Sequence, residues 1–409
     1  LNFEETLTYL YEKLPMYQRV GPVAFKKDLG NIAKLCEALG QPQEQFKSIH
    51  IAGTNGKGSV THILAAILIN AGYRVGYYTS PHLVSFRERI RINGQMITKD
   101  EVVGFVEQHR GLIEEIEPSF FEITVAMAFD YFARQEIDIA IVETGLGGRL
   151  DSTNIVKPLL SVITNIGHDH MDMLGDTLEA IAGEKAGIIK PNTPVVIGQK
   201  QEAVADVFLA KAKELNADIC FADEANTMEW IDSDLKGFYQ QINIRTALKT
   251  LDILVSEHDF DIGYWRTALQ QVGSLSGLQG RWQKVGERPL VITDTGHNEE
   301  GIIQVVKNLA AEKYDNLHMV FGMVQGKNYK EVLNMFPKDA NYYLVKPEVP
   351  RGLDVQELYR ACSDLGIKSS PYSTIKDAYE AARSNANVED CIFVGGSTFT
   401  VADFLAYLD

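Results

Sequence analysis

The chain has 409 residues, 45% of them hydrophobic, enough for a buried core and for two or three domains. A formal net charge of −16 with no basic stripe argues against a nucleic-acid partner, and the longest apolar run, residues 63–69, is too short for a bilayer span. Residues 1–9 hold no cationic leader and the four cysteines (Cys36, Cys220, Cys362, Cys391) lack ligand spacing, so a reduced, cytoplasmic, monomeric protein is expected.

Helix and strand patterns alternate through most of the chain, which predicts an α/β protein with mostly parallel strands. Residues 31–39 read as an amphipathic helix and 48–52 as a short buried strand. A glycine-rich turn and an apolar helix over 60–70 follow, then a strand over 74–79. Arg87, Arg89 and Arg91 read better as one solvated strand face than as an anion site. Strands are predicted at 137–142, 159–164 and 194–197; the first is almost continuously apolar, as in a strand covered on both faces. The pattern weakens over 223–240, read as irregular, before a helix at 241–255. Residues 273–280 hold three glycines and two serines and are the best linker and hinge candidate. Strands near 289–294, 317–322, 340–345 and 390–394 then alternate with helices, forming a second unit of about 120 residues.

The strongest local signal is Gly53-Thr54-Asn55-Gly56-Lys57-Gly58-Ser59. It follows a strand and opens a helix, where backbone N–H groups and the helix dipole can hold phosphate. Lys57 adds a charge for the β- and γ-phosphates, and Ser59 a hydroxyl for phosphate or magnesium. Only two residues separate Gly53 and Gly56, a departure from the common G-x4-G-K-[ST] loop. A plain strand-to-helix turn is the alternative, but it leaves the register of Lys57 and Ser59 unexplained. Glu143 ends the 137–142 strand and precedes Thr-Gly-Leu-Gly-Gly148. A carboxylate there, beside a phosphate loop, is the usual place for a magnesium ligand.

Residues 49–59 and 141–156 together resemble the two signature segments of the folylpolyglutamate synthase family, within the Mur ligase superfamily. The likeness runs on in order through Tyr78-Thr-Ser-Pro-His82, Gly167-His-Asp-His170, Glu184-Lys-Ala-Gly-Ile-Ile-Lys190, Tyr239-Gln-Gln-Ile-Asn243, Gly280-Arg281 and Asp294-Thr-Gly-His-Asn298. The resemblance implies a P-loop-type, mostly parallel sheet domain (1–275) of the Mur ligase central type. A linker (276–288) and a smaller Rossmann-like glutamate-ligase domain (289–409) would follow. It implies ATP as substrate and two magnesium ions, held by Ser80, Glu143 and His170, with Lys185 carboxylated. Asn243 would contact adenine, Arg281 the phosphates, and Asp294 and His297 the ribose and phosphate side. Ser397, in Gly395-Gly-Ser397, falls where the family binds glutamate. Phe121, Arg149 and Asp151 are the pterin-side candidates. The catalytic set is thus Lys57, Glu143, His170, Lys185 and His297.

The implied reaction joins L-glutamate to a folate, and the run 147–154 resembles the bifunctional bacterial type that also acts on dihydropteroate. The chain departs from the family at Gly296-His297-Asn298-Glu299, where Ala-His-Asn-Pro is usual, and at Gly326-Lys327-Asn328, where Asp-Lys-Asp is usual. A monofunctional folylpolyglutamate synthase is the nearest alternative. A ligase for UDP-linked cell-wall precursors would need a further domain before the loop, and about 50 residues are too few for it. A small-molecule kinase leaves the second unit unexplained. A non-catalytic nucleotide-binding regulator does not need Lys57, Glu143, His170 and Lys185 together.

Overall fold

Two mostly parallel sheets organise the chain in its computed structural model, which describes residues 1–14, 28–224, 229–325 and 329–408. The first unit comprises Leu1–His82, Phe86–Asp234 and Gln240–Leu278; the second comprises Leu83–Ser85, Leu235–Tyr239 and Gln279–Asp409.

The first sheet has eight strands: β1 (Lys47–Ala52), β2 (Val75–Tyr78), β3 (Ile90–Ile92), β4 (Gln95–Met96), β5 (Ile139–Glu143), β6 (Leu160–Ile163), β7 (Val195–Ile197) and β8 (Ile219–Phe221). Their order is β4-β3-β2-β5-β1-β6-β7-β8. Strands β2, β5, β6 and β7 are buried at every position, which explains their mostly apolar character. The helix Lys57–Asn70 is buried from Ser59 to Leu68. It packs on the sheet and is covered by the helices Gln240–His258 and Val272–Ser276. It therefore has no polar face, and its apolar run in the sequence follows from that.

Register places the site. Ile51 lies opposite Glu143, Tyr78 opposite Val142, and Ala52 opposite Ile163. The loops leaving β1, β2, β5 and β6 therefore open on one edge of the sheet. Strand β1 sits between β5 and β6, and the crevice outside such strand ends is where open α/β sheets bind ligands.

The second sheet has six strands: β9 (Gln283–Glu287), β10 (Leu290–Thr293), β11 (Leu317–Phe321), β12 (Asn341–Leu344), β13 (Ser369–Pro371) and β14 (Cys391–Gly395). Their order is β13-β12-β11-β14-β10-β9, parallel except where β9 meets β10. One face is closed by Trp282, Phe321, Phe336 and Phe393, the other by Tyr379 and Phe404.

One expectation needs correction. Arg89 and Arg91 do not form a solvated face: they are 3% and 8% exposed. Arg89 Nε donates to His82 Nδ1 at 2.8 Å and its guanidinium lies over the Phe120 ring at 5.3 Å. Arg91 donates to Gly94 O at 3.0 Å. Aromatic and carbonyl partners replace water around both cations. The stretch expected as a linker contains the boundary between the two units, which falls between Leu278 and Gln279; Val272–Ser276 is helical and Gln283–Glu287 is strand β9. Gly277 and Gly280, at φ +72° and +67°, turn the chain between them. Gly326, Lys327 and Asn328 lie outside the described residues. No helix among the described residues is long and apolar enough to cross a membrane.

Candidate active site

The loop between β1 and the helix Lys57–Asn70 is built against residues 164–167. Thr54 N donates to Asn165 O at 2.9 Å, Asn55 N to Asn165 Oδ1 at 2.8 Å, and Thr164 Oγ1 to Asn55 O at 2.6 Å. Gly53 has φ +147°, and a Cβ there would stand 1.8 Å from Thr164 Oγ1. Gly56 has φ +89°, and its Cβ would stand 2.4 Å from Asn243 Oδ1. Both contacts demand glycine, and the second brings Asn243 onto the loop. No side chain caps the first turn of the helix at Gly56, which leaves its N–H groups to a ligand. The Ser59 hydroxyl is 1% exposed and has no protein partner.

Two lysines meet on this loop. Lys57 Nζ donates to Gly53 O at 3.0 Å and Thr54 O at 3.3 Å; Lys185 Nζ donates to the same Gly53 O at 2.9 Å. Lys185, on the helix Leu178–Ala186, is 4% exposed. Burial first, and then the charge of Lys57, lower its pKa to about 7. A good share of amine is thereby available at neutral pH.

Glu143 ends β5 and is 3% exposed. Beside it the Thr144 hydroxyl is buried without a protein partner. Ser80 follows β2, next to β5 in the sheet. His170 has φ +52° and stands before the helix Met171–Leu174, its N–H bonded to Asp169 Oδ1 at 3.0 Å. Among the described residues no three His, Cys, Asp or Glu side chains form a metal cage. The residues expected to hold metal, Ser80, Glu143 and His170, offer one hydroxyl, one carboxylate and one imidazole. That set fits a hard cation completing its shell with water and phosphate oxygens.

On the pterin-side candidates the geometry divides. The Phe121 ring packs on Gly145 and stands edge-on to Tyr78 at 5.9 Å. Arg149 pairs with Glu184 at 2.8 Å. Asp151 is occupied: Oδ2 accepts from Gly145 N and Leu146 N, both at 2.8 Å, and Oδ1 from Thr153 N at 3.0 Å and Thr153 Oγ1 at 2.5 Å. Its carboxylate holds the turn after Glu143. Burial raises its pKa against these four donors.

In the second unit, Asp294 is 3% exposed. Its Oδ2 accepts from Tyr239 Oη at 2.6 Å and Trp282 N at 2.8 Å, and its Oδ1 from Gly296 N at 2.7 Å. Burial raises the pKa of Asp294 and lifts that of Tyr239 well above its ordinary value. Arg281 donates to Gly280 O at 3.1 Å and to Thr295 Oγ1. His297 Nδ1 donates to Thr295 O at 3.0 Å. The Ser397 hydroxyl accepts from Thr400 N at 3.1 Å and meets Thr400 Oγ1 at 2.8 Å. It caps the helix Thr398–Leu408.

Sequence reasoning passed over Thr144, Thr164, Asn165 and Gln240. Thr144 and Gln240 lie within quoted motifs and could have been found there. Thr164 and Asn165 carried no signal, because their value comes from facing the loop across the sheet.

Residues 51–257 match the model of the Mur ligase middle domain, and residues 280–398 that of the Mur ligase glutamate ligase domain. The dihydrofolate synthase/folylpolyglutamate synthase of Bacillus subtilis is 34% identical over 92% of this chain and 94% of its own. The chain belongs to the dihydrofolate synthase/folylpolyglutamate synthase family of Mur ligases. The Escherichia coli member is 32% identical over 88% of this chain and 86% of its own. The structure of E. coli FolC with DHPP and ADP aligns with a TM-score of 0.86 at 29% identity, over 100% of this chain and 98% of that one. A bifunctional folylpolyglutamate synthase/dihydrofolate synthase with Mn, AMPPNP and L-glutamate bound aligns at 0.84 and 30%, over 100% and 98%. Both domains of a glutamate ligase are therefore present in this chain.

Proposed function

We propose that this chain uses ATP to join L-glutamate to dihydropteroate and to reduced folates, through an acyl phosphate. The observation that carries the reading is the convergence of Lys57, Lys185 and the orphaned Ser59 hydroxyl on the loop at Gly53, in a chain of this family.

An amide does not form from a carboxylate in water without activation. Transfer of the γ-phosphoryl group to the acceptor's carboxylate needs positioning and charge neutralisation more than covalent help. The N–H groups of residues 56–59 and the Lys57 ammonium hold the phosphates, and Arg281 adds a second cation. Asn243 takes the adenine side; Asp294 and His297 take the ribose and phosphate side. Ser80, Glu143 and His170, with Ser59, would hold divalent metal, read here as two magnesium ions that neutralise phosphate charge. Phe121 offers a ring for the pterin, and Arg149 a cation nearby. Glutamate enters in the second unit near Ser397, whose hydroxyl caps the helix Thr398–Leu408. The glutamate amine then attacks the acyl phosphate and phosphate leaves.

Lys185 has the pKa and burial for reaction with carbon dioxide. A neutral amine attacks carbon dioxide, one proton leaves, and the product is a carbamate anion suited to a metal-rich site. The four cysteines are free and accord with a reducing, cytoplasmic setting.

Oxygen-18 placed in the dihydropteroate carboxylate tests the intermediate. One label per turnover should appear in the released phosphate. Phosphate carrying no label would remove the acyl phosphate from the scheme.

A further inference from the structure

Arg89 is buried, and its partners among the described residues are the imidazole of His82, the hydroxyl of Tyr78 and the ring of Phe120, none of them a carboxylate. Taking a guanidinium out of water without a carboxylate beside it costs free energy. Arg89 ends the short helical turn Phe86–Arg89, which follows the loop leaving β2. Its carbonyl oxygen accepts from Thr79 N at 3.0 Å, and its Nε donates to His82 Nδ1 at 2.8 Å. One residue therefore holds both ends of the segment Thr79-Ser80-Pro81-His82. The backbone bond continues the antiparallel pairing of β2 with β3, in which Tyr78 lies opposite Ile90. The side-chain bond defines the imidazole as well: Nδ1 accepts, so the ring is neutral and its proton sits on Nε2. A guanidinium donates from a rigid plane, unlike the swinging ammonium of lysine, and the Phe120 ring at 5.3 Å lies against that plane.

We propose that Arg89 is the positioning residue for the Ser80 hydroxyl: by tying Thr79 through its backbone and His82 through its side chain, it sets where the loop presents that oxygen to metal. Glu143 stands on a strand and Lys185 on a helix, where ladder and helical hydrogen bonds fix the backbone. Ser80 lies in a loop two residues beyond the end of β2 and depends on its neighbours for its place. A magnesium-sized cation requires near-octahedral oxygens at about 2.0–2.1 Å, so a hydroxyl that drifts is lost as a ligand. Groups that orient a ligand govern metal affinity alongside the ligand itself.

This inference rests on the reading of Ser80 as a metal residue, and the test separates the two. The probe is manganese(II) with AMPPNP on the full-length chain. Its apparent dissociation constant is read at equilibrium by electron paramagnetic resonance, without turnover, beside a thermal unfolding curve. Ser80→Ala should weaken manganese about ten- to a hundredfold. Arg89→Met keeps an apolar chain against Phe120 but cannot donate, and should weaken it about tenfold or more with Tm little changed. Adding Arg89→Met to Ser80→Ala should weaken manganese no further, because a residue that acts through Ser80 then has nothing to position. His82→Asn keeps an acceptor oxygen where Nδ1 stands and should stay within about threefold of the natural chain, whereas His82→Phe keeps a ring without the acceptor and should match Arg89→Met. Weakening by Ser80→Ala but not by Arg89→Met overturns the inference and leaves the metal reading intact. Effects of the two substitutions that multiply overturn it also, since Arg89 would then act elsewhere. Unchanged affinity in Ser80→Ala removes the metal reading of Ser80, and the inference with it. If Arg89→Met does not fold, the His82 pair decides, and equal constants for His82→Asn and His82→Phe count against the idea. A chain that binds manganese through Ser80 and Arg89 but ligates nothing would sink the proposed function and leave this inference standing.

Discussion

Lys57 and Lys185 both donate to the carbonyl oxygen of Gly53, at 3.0 and 2.9 Å. Two ammonium groups on one neutral acceptor repel each other, and the buried one yields. That is why the pKa of Lys185, after the larger effect of burial, is lowered further by Lys57.

The shift has a consequence for stability. The ordinary lysine pKa lies near 10.5 and the folded value near 7, so the unfolded chain binds more protons between these limits. Stability from this group therefore rises with pH across about 7 to 10.5. Below about 7 the full cost of the buried ammonium is present, on the order of a few kcal/mol. Lys185→Met should remove that cost, raising Tm near pH 7 while abolishing ligation. The difference in unfolding free energy between variant and natural chain should shrink from pH 7 to pH 10. Parallel stability curves in urea would contradict the assignment.

Carboxylation of Lys185 predicts more than loss of activity. Lys185→Ala should be nearly inactive and partly restored by acetate, whose carboxylate fits the vacated space. Lys185→Arg should not recover, since it keeps a cation there. Full activity in Lys185→Ala would end the carbamate reading.

For Lys57, Lys57→Ala should lower kcat by at least about a hundredfold, as expected when a cation aimed at a transferring phosphoryl group is lost. It should also raise the pKa of Lys185, because the neighbouring charge is gone. Near-normal turnover would detach the loop from catalysis.

The Asp151 carboxylate gives a way to separate scaffolding from substrate recognition. Asp151→Asn turns an amide donor toward donors: Gly145 N and Leu146 N on one side, Thr153 N and Oγ1 on the other. Stability should fall by about 1–3 kcal/mol, with activity reduced toward every acceptor alike. A selective rise in KM for dihydropteroate, with Tm unchanged, would return Asp151 to the pterin side.

Much of this was legible because it is local in the chain. Lys57 and Ser59 carry their meaning in one loop, and Glu143 carries it at the end of an apolar strand. The core strands were read to within two residues because both faces of the sheet are covered. What was not legible depends on contacts between distant segments. Arg89 is buried because His82 and Phe120 close on it, and nothing about alternating arginines announces that. Strands β3, β4, β8 and β13 have three residues or fewer, and pairing at or near sheet edges rather than propensity makes them strands. The occupation of Asp151 by four donors, and of Ser397 by Thr400, likewise arises only when the turns fold.

Glu143→Gln keeps the shape of a buried strand-end side chain and removes its charge. Ligation should be lost with the circular dichroism spectrum unchanged. If the variant unfolds while its folded fraction turns over normally, Glu143 is structural.

ATP-driven ligation of glutamate can be assayed directly. Purified protein is given magnesium and ATP with dihydropteroate or tetrahydrofolate, with and without L-glutamate, and phosphate release is followed together with the folate product. Phosphate release should depend on glutamate and on either acceptor, with one glutamate joined per ATP consumed. Phosphate release that ignores glutamate, or none with either acceptor, would contradict it.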